Sequence, residues 1–225
     1  MPARYHVEVD DPRSAARVRL TARGAATRAR IVETAAELMH VRGVGGTTLD
    51  DVVAASRVSK SQLYRHFADK PALVRAVIEL VGERTIAGER ERLSRVTTFA
   101  GLQRWRDALV ERNALQDGRY GCPLGSLANE VSDHDAIARR TLQELFTAWQ
   151  ELFDELLLRF QRERLIPQDT EVAPLATGFV AAIQGGYLLA QTARDVAPMA
   201  SAVDMAIAHL HLLARERDES PSSPG

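Results

Sequence analysis

Residues 47–71 read Thr-Thr-Leu-Asp-Asp-Val-Val-Ala-Ala-Ser-Arg-Val-Ser-Lys-Ser-Gln-Leu-Tyr-Arg-His-Phe-Ala-Asp-Lys-Pro. The stretch predicts two short helices joined by a tight turn, and then the start of a third. Thr48 opens the first, because its hydroxyl can accept from the unsatisfied N–H groups of a first turn, where Asp50 and Asp51 also favour the positive end of the helix dipole. Leu49, Val52 and Val53 recur at helical spacing. Ser56, Arg57 and Val58 leave room only for a turn. Ser59 and Gln62 then form a capping box, with Val58 and Leu63 as its hydrophobic staple. Leu63 and Phe67, four apart, share the inner side, and Lys60, Ser61, Tyr64 and Arg65 fall on the other. Asp69 caps the next helix, whose first turn tolerates Pro71.

This order of elements is a helix-turn-helix, whose second helix enters the major groove of duplex DNA. The staple fixes the angle of that helix, so the residues at its start reach base edges. Lys60, Ser61 and Gln62 are the candidates there: lysine suits guanine O6 and N7, and glutamine suits adenine N6 and N7. Arg65 suits either a base or a phosphate. An ordinary helical hairpin with a charged outer face would share the amphipathic spacing, but not the linked cap, turn and staple.

The run Ser59-Lys60-Ser61-Gln62-Leu63-Tyr64-Arg65-His66-Phe67-Ala68-Asp69-Lys70 resembles the signature of TetR-family transcriptional repressors. Upstream, Arg30-Ile31-Val32-Glu33-Thr34-Ala35-Ala36-Glu37-Leu38-Met39 resembles that family's first helix. The resemblance spans residues 26–80. With their positions, it implies that Thr48, Tyr64, His66 and Lys70 contact phosphate. Arg57 stands where the family often has glycine; a positive φ there would cost about 1 kcal/mol, or the turn is adjusted, and the side chain offers a further phosphate contact. Residues 120–133, from Tyr120-Gly121-Cys122-Pro123 to Ser132-Asp133, resemble more loosely the ligand-binding domains of one subgroup, which names no ligand.

A chain of 225 residues with few turn residues, much Ala, Leu and Arg and no strand alternation predicts an all-α fold of about nine helices. Beyond the short pair, helices are expected near 26–41, 70–95, 97–116, 122–131, a long one capped by Asp133 and running to 164 before Pro167, then 171–194 and 198–216. Gly82 and Gly88 weaken the helix at 70–95. The expected organisation is a basic, disordered arm (1–20), a helix-turn-helix domain (21–75), a helical ligand-binding and dimerisation domain (76–217) and a disordered tail (218–225). In the arm region Arg13, Arg17, Arg19 and Arg23 either follow DNA or belong to a solvated tail.

Net charge is −1, but residues 1–70 carry 12 Lys and Arg against 8 Asp and Glu, and residues 71–225 carry 17 against 22. The basic end is thus the end with the helix-turn-helix, as phosphate binding requires. Both lysines, Lys60 and Lys70, lie in that segment, among 27 arginines in the chain. Cys122 is the one cysteine, which excludes an intramolecular disulfide and fits a reducing, cytoplasmic location. No run of about 18 apolar residues predicts a membrane span, and no secretory signal core is expected.

The body predicts a pocket and a dimer interface. Trp105, Leu109, Cys122, Leu127, Phe146, Trp149, Phe153, Phe179, Ile183, Gln184 and Tyr187 are candidate walls of an apolar cavity with a few polar tips, for a small effector that releases a pseudo-palindromic operator. Each also suits plain core. The family resemblance implies that the last two helices pair with their copies. Gly178, Ala181, Ala182, Gly185 and Gly186 would allow close approach on one helix, and Ala202, Met205, Ala206, His209 and Leu213 form a stripe on the other, giving a homodimer for two half-sites. Cys122 is either a sensor of oxidants or electrophiles, its thiolate aided by a helix N-terminus, or an inert buried thiol. The histidines make no metal set, no cofactor is implied, and no nucleophile elbow, phosphate loop or paired carboxylates point to an enzyme. An activator remains the alternative to a repressor.

Overall fold

The computed structural model describes residues 21–115, 119 and 121–219. Among them lie nine α-helices and no strand: α1 (Ala22–Arg42), α2 (Leu49–Ser56), α3 (Lys60–His66), α4 (Lys70–Ser94), α5 (Phe99–Ala114), α6 (Pro123–Val131), α7 (Ala136–Arg162), α8 (Val172–Ala193) and α9 (Ala197–Glu219). The all-helical architecture expected from periodicity is the one observed. The arm at 1–20, the loop residues Asp117, Gly118 and Tyr120, and 220–225 of the tail lie outside the described residues; α9 itself continues past 218.

Side-chain caps set most helix starts. Thr21 Oγ1 accepts from Gly24 N–H at 3.2 Å, which begins α1 ahead of the apolar periodicity. The helix ends at Gly43, whose φ of 76° suits glycine. Asp69 accepts from Ala72 N–H at 2.7 Å to open α4. The cap of α7 is Asp135 rather than Asp133: its Oδ1 accepts from Ile137 and Ala138 N–H at 2.9 and 3.0 Å. The N–H groups of His134 and Asp135 still bond the Val131 carbonyl, at 3.1 and 3.0 Å, and this postpones the start. At the other end α7 stops before Pro167, because Arg164 turns left-handed (φ 55°) and Leu165 N–H closes on the Phe160 carbonyl at 2.8 Å. Gln161 is buried there and its amide donates to the carbonyls of Pro167, Gln168 and Thr170, tying the turn into α8.

α4 joins head and body through one core: it packs on α1, and its Leu73, Val74 and Val77 are buried in the same cluster as Ile31, Ala35, Val52, Leu63 and Phe67 of the three-helix head. It runs unbroken through the expected boundary at 75/76 and packs along α7 in the body. Gly82 marks that crossing, since a Cβ there would lie 2.3 Å from Leu145 Cδ1; the glycine that weakens the isolated helix is the one that lets the two helices approach. The body core centres on Phe153, whose ring stacks on Phe179 at 5.0 Å and meets the edge of Trp105 at 5.6 Å. α8 and α9 pack against each other at Gly186, where a Cβ would sit 3.0 Å from Met199 Cα. Val172–Ala193 and Ala197–Arg215 are long and apolar enough by composition to cross a membrane, although neither is an unbroken apolar run; here α8 packs on α7 and α9 on α5 in the helical body.

Candidate DNA-binding and effector sites

The reading face is built from local hydrogen bonds. Thr48 and Asp51 form a reciprocal box: Thr48 N–H donates to Asp51 Oδ2 at 2.8 Å, and Asp51 N–H to Thr48 Oγ1 at 3.1 Å. The Thr48 hydroxyl also donates to Asp51 Oδ2 at 2.6 Å, and this bond, then the one from Thr48 N–H, holds the Asp51 carboxyl below its ordinary value. The same device recurs one helix later, with Ser59 N–H on Gln62 Oε1 at 2.8 Å and Gln62 N–H on Ser59 Oγ at 3.2 Å. Between them Arg57 takes the left-handed conformation, φ 55° and ψ 38°, as its turn position demands. Val58 and Leu63 are buried beneath the start of α3. Lys60, Ser61, Gln62, Tyr64 and Arg65 are exposed, and His66 is half-buried.

Three of the expected contact residues hold intramolecular partners, of which only the cap at Gln62 was expected from the sequence. Lys60 Nζ pairs with Asp50 Oδ1 at 2.8 Å, and burial of neither partner strengthens the pair. Gln62 Oε1 already serves the cap. Lys70 Nζ donates to the Val44 carbonyl at 2.6 Å, so it braces the loop between α1 and α2.

In the body the expected pocket residues divide. Cys122, Phe146, Gln184 and Tyr187 line a cavity of about 320 Å³, together with Gly121, Gly125, Ser126 and Gln191 from the α6 entrance and α8. Gly185, assigned from sequence to the dimer interface, lines it too. Trp105, Leu109, Leu127, Trp149, Phe153, Phe179 and Ile183 are buried core around it and do not line it. Cys122 caps α6, with Gly125 N–H 3.4 Å and Gln184 Nε2 3.5 Å from Sγ. Burial nevertheless pushes the thiol up, outweighing both donors.

Next to the cavity lies a charged cluster that the sequence reading missed. Glu89 of α4 is a buried carboxylate; it accepts from Trp105 Nε1 at 3.2 Å and Arg92 Nη2 at 2.7 Å, with Arg112 Nη2 at 3.9 Å. Tyr187 is pushed up to about 12 by burial, and also by Cys122 and Glu89 nearby. Burial, then repulsion from Arg92, lowers the Arg112 guanidinium. Glu89 sits in the run Glu89-Arg90-Glu91-Arg92, which reads as an ordinary solvated face, and no local signal singles it out.

α6 connects cavity and head. Its first turn lines the cavity, and Glu130 near its other end accepts from Gly45 N–H at 3.0 Å in the loop before α2. The Glu130 carboxylate lies 3.1 Å from where a Cβ on Gly43 would stand. Arg75 of α4 pairs with the α7 cap Asp135 at 2.7 Å beside it.

Of the expected interface residues, Gly178, Gly185, Met205 and His209 are exposed, Ala182, Ala206 and Leu213 half-buried. Gly186 and half-buried Ala202 meet inside the subunit, because Gly186 is where α9 crosses α8. Ala181, also expected there, is exposed, and the outward surface adds Leu188, Leu189 and Leu212; Met205 is 70% exposed and Leu188 57%.

Two family models match the chain: bacterial regulatory proteins of the tetR family at residues 31–77, and the C-terminal domain of LmrA/YxaF-like transcriptional regulators at 98–205. The chain is 29% identical over 175 residues to the HTH-type transcriptional repressor DhaR of Mycobacterium sp. (strain GP1), covering 76% of this chain and 86% of that protein. It is 25% identical over 175 residues to the HTH-type transcriptional regulator LmrA of Bacillus subtilis, covering 77% and 90%. Among solved structures, a TetR transcriptional regulator from Chloroflexus aurantiacus shares the fold with a TM-score of 0.71 at 24% identity, covering 85% of this chain and 97% of that one. These relatives are regulators of transcription, not enzymes, and repressors are among them. The chain belongs to the TetR family of bacterial transcriptional regulators.

Proposed function

We propose that the chain is a homodimeric, sequence-specific repressor that leaves its operator when a small, apolar or aromatic effector enters the body. The observation that carries this reading is α6, which lines the cavity at one end and holds the helix-turn-helix loop through Glu130 and Gly45 at the other. Two α3 helices then enter successive major grooves of a pseudo-palindromic operator. Such a role places the protein with the DNA, in the cytoplasm. Repression rather than activation is supported by the DhaR relative, which is a repressor by name.

Lys60, Ser61 and Gln62 are the proposed base readers. To reach guanine, Lys60 exchanges Asp50 for the base, which costs little because both partners are mostly exposed. The Gln62 carbonyl has a second lone pair, so it can keep Ser59 N–H and accept from adenine. Thr48, Arg57, Ser59, Tyr64, His66 and Lys70 are proposed to position the head on phosphates, and Arg65 serves either role. Gln62→Ala is expected to relax preference at one base pair by about 1–3 kcal/mol. Lys70→Ala is expected to weaken binding to every sequence and to lower the salt slope by about 1. Equal losses on operator and random duplex for both variants would contradict this division.

An effector releases DNA only by favouring a conformation in which the heads are wrongly spaced. In the proposed route it displaces the first turn of α6, Glu130 leaves Gly45, and α4 tilts with the loop. Glu130→Ala is therefore expected to bind operator yet stay on it at effector concentrations that release the parent, with faster hydrogen exchange at the Gly45 amide. Unchanged release and unchanged protection would exclude the route. The alternative through Cys122 as a redox switch has little support, since its thiol is buried and pushed towards the neutral form.

A further inference from the structure

The walls of the cavity carry hydrogen-bonding groups but, among the described residues, no charge. Cys122, Ser126 and Asn129 follow one another at spacings of four and three at the start of α6 and along it. Gln184, Tyr187 and Gln191 follow at spacings of three and four along α8. Each set therefore shares one face of its helix, and all six residues line the cavity. We propose that the effector is an uncharged molecule, an apolar body bearing hydroxyl, carbonyl or amide groups, and that it bridges α6 and α8 through these two polar stripes. The inference rests on the reading of the cavity as the effector site.

No lysine, arginine, histidine, aspartate or glutamate lines the cavity among the described residues. Glu89, Arg92 and Arg112 are not among its walls, and Glu89 and Arg92 pair with each other at 2.7 Å. The two wall groups that could ionise stay neutral: burial pushes up both the Cys122 thiol and the Tyr187 hydroxyl, the latter to about 12. An acid or an amine entering here gives up hydration and meets no opposite charge on the walls. Side-chain amides and hydroxyls both donate and accept, so the same walls suit neutral polar groups of either kind.

The α8 amides are seated close on the start of α6. A Cβ added at Gly125 would lie 2.4 Å from Gln184 Oε1, and one at Gly121 2.8 Å from Gln191 Oε1. The two glycines thus make room for both side chains, and a larger residue at either place would push an amide out of position. Gln184 Nε2 also lies 3.5 Å from Cys122 Sγ, so the amide that faces a ligand already spans the two helices. A molecule that bonds to both stripes acts on the first turn of α6, the same turn from which the route to Glu130 and Gly45 begins. Phe146, Leu188 and Ala128 supply the apolar wall for the rest of the molecule.

The test is a calorimetric titration of the full-length protein with compounds that share a body and differ in charge: 2-naphthamide, 2-naphthoate and 2-naphthylmethylamine, then octanamide, octanoate and octylamine. Operator release is measured alongside. At neutral pH each set holds one neutral molecule, one anion and one cation. The amides are expected to bind about tenfold or more tightly than either ion and to release operator. Gln184→Leu and Gln191→Leu, which remove one wall amide each, are expected to weaken amide binding by about two- to tenfold. The ranking on the parent protein stands even where a variant folds poorly. An acid or an amine that binds as tightly as its amide would overturn the uncharged class while leaving the cavity as the effector site. Unchanged amide affinity in both folded variants would overturn the bridging of α6 and α8. Amides that bind without releasing operator would overturn the effector reading but leave the cavity selective for uncharged ligands. If none of the six compounds binds, the proposal is overturned, and the effector reading falls with it if a wider panel also leaves the operator bound.

Discussion

The double variant Leu188→Glu, Met205→Glu is expected to be monomeric and to lose operator affinity by about 10²–10⁴-fold, the advantage of engaging two linked half-sites at once. Both side chains lie on the outward surface of α8 and α9, with Leu189 and Leu212 beside them. Each gains roughly 1.5–3 kcal/mol when fully buried, and a glutamate at either place would have to lose its water in the interface. Gly178 and Gly185 fit the same surface, because nothing in the subunit comes within 4 Å of a Cβ added to either, so nothing within the chain calls for glycine there. Sedimentation of the variant beside the parent, followed by operator titration, checks both halves of the expectation. A variant that remains dimeric and binds operator as the parent does would place the interface elsewhere.

Phe153→Ala is expected to lower stability by about 3–5 kcal/mol, a fall in melting temperature of roughly 6–20 °C for a chain of this size. Phe153 is fully buried between Trp105 and Phe179, and removing the ring leaves a hole that two further aromatic rings cannot close without leaving their own contacts. Thermal unfolding of parent and variant measures it. The result also separates two roles that sequence left open for this residue. A melting temperature within about 2 °C of the parent, with loss of effector binding, would make Phe153 a cavity wall rather than core.

What was legible in the chain was what depends on neighbours along it. The cap at Thr48, the box at Ser59, the staple of Val58 and Leu63 and the cap at Asp69 all act within about five residues, so spacing reveals them, whereas the return bond from Asp51 to Thr48 and the left-handed φ of Arg57 were not fixed by it. Asp135 took the place of Asp133 because backbone bonds to Val131 extend the corner, which spacing does not show. Long-range pairings were not legible either: Glu130 with Gly45, Lys70 with Val44, Arg112 with Glu89. Each joins segments far apart in sequence through one side chain of ordinary type. The paired glycines show the same limit. Gly185 and Gly186 look alike in sequence, yet one faces outward beside the cavity and the other lies under Met199, because consecutive helix residues point about 100° apart.

The central claim is that this chain reads a DNA sequence as a dimer. Fragments of its own genome selected for binding, then titrated beside a random duplex at two salt concentrations, test it most directly. The account predicts a selected fragment with two inverted half-sites about one helical turn apart, bound roughly 10³-fold or more tightly than random DNA. Selected fragments bound no better than random duplex, with the same steep salt dependence on both, would contradict it.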